Sequence, residues 1–293
     1  MEVILHLGAH RTATTSLQAW MVQNEDALAE AGIAVWGPGQ TRSGRFAGLI
    51  KRPDWVNAQD EVEARASASA LRFEIDRLEE AGYRALVISE ENCLGTMRLC
   101  LEQEMLYPDV AGRIRRIAAA LGPHLTGLGL SLRRYDTWWG SVLADQATRG
   151  RGLAHGARSL ARLAEHPRSW RRLVQILREE SLGLPLTVWP FEALVGRPAA
   201  QMQALLGATA LPPGLYDHLR VMNSASAGAP GSPFTLAQRA AMVARYHEDL
   251  AWLAQPRPGL RFIENDSTEP GAHPAGLTEE EGWFHDDQKR GLG

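Results

Sequence analysis

The sequence predicts an α/β fold: a parallel sheet with helices on both faces, followed by an irregular C-terminal region. Three observations carry this. Short apolar runs recur at residues 3–7, 32–36, 85–89, 125–132 and 184–192, and runs that are apolar throughout suit strands buried on both faces. Segments with helical apolar spacing separate them, so strand and helix alternate. The chain has 293 residues, 45% of them hydrophobic, enough for one sizeable core. Residues 1–264 are expected to form this domain, and 265–293 an acidic, polar tail whose only anchors are Trp283 and Phe284.

Composition excludes several classes. A formal net charge of −3 gives no global nucleic-acid signature. Arginine carries almost all the positive charge; the lysines are Lys51 and Lys289. Cys93 and Cys100 are too few for a disulfide framework. No apolar run approaches a membrane span, and the first strand lacks the basic flank of a signal peptide. A cytoplasmic location is the expectation.

The first strand, 3–7, closes at Gly8. From Ser16 the pattern becomes helical, with Leu17, Trp20, Met21 and Leu28 on one face. Between them lies a loop of small and hydroxylated residues, His10-Arg-Thr-Ala-Thr-Thr-Ser16. A loop of this kind at a helix N-terminus presents backbone N–H groups to an anion, and the helix dipole assists. Thr12, Thr14, Thr15 and Ser16 add hydroxyls, and Arg11 adds a permanent charge. A nucleotide-triphosphate loop, G-x-x-x-x-G-K-[ST], would need Gly and Lys where Ala13 and Thr14 stand, so a magnesium–ATP site is not expected.

The segment HLGAHRTATTSLQ resembles the 5′-phosphosulfate loop of the sulfotransferases, usually written K-[ST]-G-T-[ST] after a strand. That resemblance implies a P-loop-like fold and 3′-phosphoadenosine-5′-phosphosulfate (PAPS) as sulfuryl donor, with 3′,5′-adenosine bisphosphate (PAP) as product and no metal. Arg11 stands where the family usually has Lys, and Ala13 where it has Gly. By the same resemblance, residues 11–16 hold the phosphosulfate.

The remaining elements follow in order. The stretch 41–57 reads as irregular, with Trp55 as a possible anchor, and 61–81 as a helix burying Leu71, Ile75 and Leu78. The run 85–89 delivers Glu90 and Glu91 just past a strand end, the edge at which ligands bind in parallel sheets. Both are candidate general bases, with His10 a third, and both could equally cap the following turn. Related bacterial proteins carry Ser-x-Glu here, matched by Ser89 and Glu91; Glu90 would then cap the turn or pair with an arginine such as Arg98. Arg113, Arg115 and Arg116 read as a solvated face of the helix 110–121.

The strand 125–132 ends at Arg133, and Ser141 follows eight residues later on a helix. In sulfotransferases an Arg and a Ser at this spacing hold the 3′-phosphate. Trp138 and Trp139 suit either the core or stacking on a sugar. Residues 146–168 form either a mobile insertion or a solvated helical excursion. The run 184–192 reads as the last strand, then a helix to about Gly207, a loop at 211–235 and a helix over Leu236–Ala254. By resemblance, Arg220 and Asn223 in that loop would close over the nucleotide.

The expected function is sulfuryl transfer from PAPS to a hydroxyl or amine on a small-molecule or carbohydrate acceptor. The alternatives are a non-catalytic nucleotide-binding relative or a small-molecule kinase of the same architecture. No internal repeat or metal motif is present, and oligomeric state is not legible.

Overall fold

Strand β1 (Glu2–His6) runs through the middle of a six-stranded sheet ordered β2-β3-β1-β4-β5-β6, every neighbour parallel. The other strands are β2 (Ile33–Trp36), β3 (Ala85–Ser89), β4 (Leu125–Leu132), β5 (Leu186–Pro190) and β6 (Leu260–Phe262). The computed structural model describes residues 1–150, 156–165, 168–216 and 232–264.

Helices α1 (Thr14–Gln23) and α2 (Glu25–Glu30) follow β1. The short α3 (Pro38–Gln40) and a π-turn, Thr41–Arg45, follow β2, and α4 (Ala58–Glu80) leads to β3. Helices α5 (Met97–Glu102) and α6 (Val110–Leu121) precede β4; α7 (Tyr135–Thr148), α8 (Ala157–Glu165) and α9 (Trp170–Glu180) precede β5. Then come α10 (Phe191–Leu194), α11 (Pro198–Leu206) and α12 (Leu236–Ala254).

Alternation along β1 splits the core. Val3, Leu5 and Leu7 pack with α4, α6, α7, α9 and α12, whereas Ile4 packs with α1, α2, α10 and α11. The sheet is thus covered on both faces, as its uniformly apolar strands require.

Several expectations need correction. The run 184–192 does supply β5, but β6 continues the sheet beyond it, a three-residue strand too short to show as a pattern. The first helix breaks at Asn24, whose side chain donates to the Trp20 carbonyl and pairs with the Tyr216 backbone. Arg113 is no solvated residue: it is 3% exposed, bound to Asp109 and the Ile50 carbonyl. Trp55 is 65% exposed and anchors nothing; Arg52 stacks on it. Helix α8 buries Leu163 and Ala164 and ties Arg162 to Glu104, so 157–165 are packed helix. Trp138 and Trp139 are core, edge to face at 4.7 Å. Arg220, Asn223, Trp283, Phe284 and the tail lie outside the described residues.

Candidate functional site

The loop after β1 stays on the sheet. The amides of Leu7 and Ala9 donate to the carbonyls of Gly129 and Ser131 on β4. Gly8, at φ +38°, makes the turn, and a Cβ there would lie 2.2 Å from the Thr14 methyl. The chain then rises through Arg11 and Ala13, both left-handed at φ 66° and 62°. For a non-glycine residue that costs on the order of 1 kcal/mol.

Thr12 does not present its hydroxyl outward. It bonds the Ala9 carbonyl and Ser131 Oγ and pins the loop to β4. Tyr107 braces the other side, its hydroxyl 2.8 Å from the His10 amide and 3.1 Å from Nδ1, while Trp138 donates to the His10 carbonyl. Held this way, the amides of Arg11, Ala13, Thr14 and Thr15 have no partner among the described residues, and α1 has no side-chain cap. Four open N–H groups at a helix start form an anion cradle by their chemistry.

Two arginines flank it. Arg11 donates from Nε to Ser141 Oγ at 2.8 Å and faces Asp145 at 3.5 Å. Arg11 and Ser141, expected at different ends of the nucleotide, are therefore bonded to each other. Arg133 donates to the Arg11 carbonyl at 2.7 Å and lies 4.6 Å above the Phe191 ring. It makes no ion pair among the described residues. Burial pulls its pKa down from the ordinary arginine value, only partly offset by Glu192, and neighbouring Arg11 lowers it further.

The carboxylates stand on the opposite side of β1, after β3. Glu90 is fully buried, caps the turn Glu91–Cys93 through the Asn92 amide, and is gripped by Arg42 through Nε and Nη2 at 2.9 and 2.7 Å and by Thr41. The expected capping role holds, but the arginine is Arg42; Arg98 pairs with Glu102. Glu91 is half-buried and accepts from Gln18 at 3.0 Å and Arg42 at 2.8 Å. Burial pushes its carboxyl up, yet Gln18, His10 and Arg42 together bring it below the ordinary range. Burial depresses the His10 pKa, against the pull of Glu91.

Under the loop sits His6, 1% exposed, stacked on Trp189 at 5.5 Å. Its Nδ1 meets Ser89 Oγ at 2.9 Å, and Gln18 donates to the same hydroxyl at 3.3 Å. Burial holds His6 down to about 4, with Glu91 pulling the other way.

The Pro190-Phe191-Glu192 strand end was singled out by its resemblance to the sulfotransferases, whereas Arg42, Gln18, Tyr107 and His6 were not singled out by sequence reasoning. Only His6 left a signal there, a polar residue closing an apolar strand. No protein-family model, curated protein or solved structure matches the chain. Fold and site define an α/β protein with an open strand–loop–helix turn at the C-terminal edge of its sheet, Arg11 and Arg133 towards β4 and Glu90 and Glu91 towards β3.

Proposed function

We propose that the protein transfers a sulfuryl group from PAPS to a hydroxyl or amine acceptor. The observation that carries this is Arg133: a half-buried guanidinium without a carboxylate partner among the described residues, beside Arg11, Ser141 and four open amides. A desolvated cation in that position favours a multiply charged anion.

The residues present fit the nucleotide. The open amides of 11 and 13–15 suit the 5′-phosphosulfate, and Arg133 with Ser141 suits the 3′-phosphate. When bound, PAPS supplies the sulfuryl group and a stable leaving group. Arg11 and the loop amides offset negative charge developing at the leaving oxygen. Glu91, deprotonated at neutral pH, accepts the acceptor's proton on a carboxylate oxygen. Its lowered pKa makes it a weak base, so positioning carries more of the rate than proton removal.

A second reading is nucleotide binding without transfer. It is favoured by the Arg42 clamp, which occupies Glu91 Oε1. One titration series separates these from a kinase. In magnesium-free buffer, calorimetry is expected to show PAP binding about tenfold to a hundredfold more tightly than 5′-AMP, the worth of a charged hydrogen-bonded contact. Equal affinities would remove the 3′-phosphate role of Arg133 and Ser141. PAP binding without transfer of labelled sulfate to any hydroxyl or amine would leave the second reading.

A further inference from the structure

We propose that the groove beside the loop is the acceptor site and that it takes an uncharged alcohol carried on an apolar body; this rests on the sulfuryl-transfer reading above. The groove is an open cleft of about 440 Å³ between α1 and the segment 37–40, within the range of small-molecule sites. One wall is a single helical face, Thr15, Gln18, Ala19 and Val22.

Its inner end is the site already described. Thr15 belongs to the first turn of α1, whose amides are open, and the Gln18 amide donates to Glu91. A hydroxyl entering along this face therefore arrives where both the cradle and the candidate base are. Further out the lining turns aliphatic, with Ala19, Val22 and Pro38. Val22 is 64% exposed, an apolar side chain left uncovered at the outer end of the wall. In the facing segment a Cβ on Gly39 would meet no atom within 4 Å, so a larger side chain can be added there without a clash.

Charge sets the class. The arginine lining the groove, Arg45, is paired with Glu74 at 2.7 Å and stacked over Trp36 at 5.2 Å. Arg42 beside it is held by Glu90 and Glu91. Glu25 lines the groove, and Gln18 in its wall is bonded to Glu91. An acceptor bearing a carboxylate or sulfate would meet acids and only cations already paired, and would lose its hydration without compensation. A neutral alcohol loses little.

The test uses the full-length protein saturated with PAP and two fluorescent probes of like shape, 2-naphthol and 6-hydroxy-2-naphthoate. Expected is a preference for 2-naphthol of about tenfold or more, the cost of an uncompensated charge in a partly open site. Gly39→Leu should weaken 2-naphthol by a similar factor while PAP affinity stays within about twofold. Val22→Arg should weaken 2-naphthol and strengthen the carboxylate probe. Equal or tighter binding of the carboxylate by the parent protein, or 2-naphthol binding indifferent to both substitutions, would overturn the acceptor class. Failure of PAP itself to bind, seen in the preceding titration, would overturn the transfer reading and this proposal with it.

Discussion

Arg11 and Ala13 carry the two departures from the sulfotransferase loop pattern, and both sit at left-handed φ. Ala13 pays for its Cβ there. Ala13→Gly should relieve the strain, partly offset by the greater freedom of glycine when unfolded, for a net gain of about 0.5–1 kcal/mol. Denaturant unfolding measures it; a loss of stability would mean that the alanine methyl packs usefully. Arg11 poses a different question, because its guanidinium rests on Ser141 and Asp145 rather than over the open amides. Arg11→Lys should retain most transfer activity, since one cation remains at the loop, whereas Arg11→Ala should lose roughly a hundredfold or more. An Ala variant as fast as the parent would remove Arg11 from the proposed chemistry.

At the scale of elements, the π-turn Thr41–Arg45 decides how the carboxylates behave. It brings Arg42 across to Glu90 and Glu91 from 48 and 49 residues away. Arg42→Gln would leave Glu90 buried without its cation, at a cost on the order of 2–3 kcal/mol, below the fully buried range because Arg42 keeps contact with water. The same change should raise the Glu91 pKa, because a positive neighbour is lost. The acid limb of the pH–rate profile should therefore move upward from its position below the ordinary glutamate value. An unmoved limb would show that Glu91 is not the base. Glu91→Gln should abolish most turnover with PAP affinity nearly unchanged, and Glu90→Gln should act mainly on stability.

This clamp also marks where sequence reading stops. Strands β3 and β4 and helices α6 and α12 were legible to the residue, because each is an apolar run or amphipathic stripe bounded by breakers. That Arg133 and Ser141 lie beside the loop was expected from the sulfotransferase resemblance alone, and in the fold both bond to Arg11. Arg42 was not legible, since a long-range ion pair leaves no period in the chain. Arg113 misled for a related reason: composition shows a charge, and only packing shows its partner Asp109.

Across the whole molecule, His6 ties the sheet together at its C-terminal edge, bonded to Ser89 of β3 and stacked on Trp189 of β5. Its folded pKa of about 4 lies below the unfolded value near 6.5. Above pH ~6.5 both states are neutral and its contribution to stability is complete. As pH falls towards 4 the unfolded chain takes up the proton and the folded chain does not, so stability is lost. By pH ~4.5 the loss should reach about 2–3 kcal/mol. His6→Asn keeps a polar atom near Nδ1 but does not titrate, so its stability should fall less over that interval by the same amount. Equal pH dependence in both proteins would mean that His6 titrates freely.

The position of β1 has a consequence for how the protein comes into being. Strand β1 is an interior strand, and both its neighbours, β3 and β4, come later in the chain. The loop that follows it is braced by Tyr107, Ser131 and Arg133. During vectorial synthesis β1 must therefore wait, its apolar residues unpaired, until β3 and β4 have followed it out. Contacts of such sequence separation are closed slowly. The loop after β1 is made before every one of the groups that brace it.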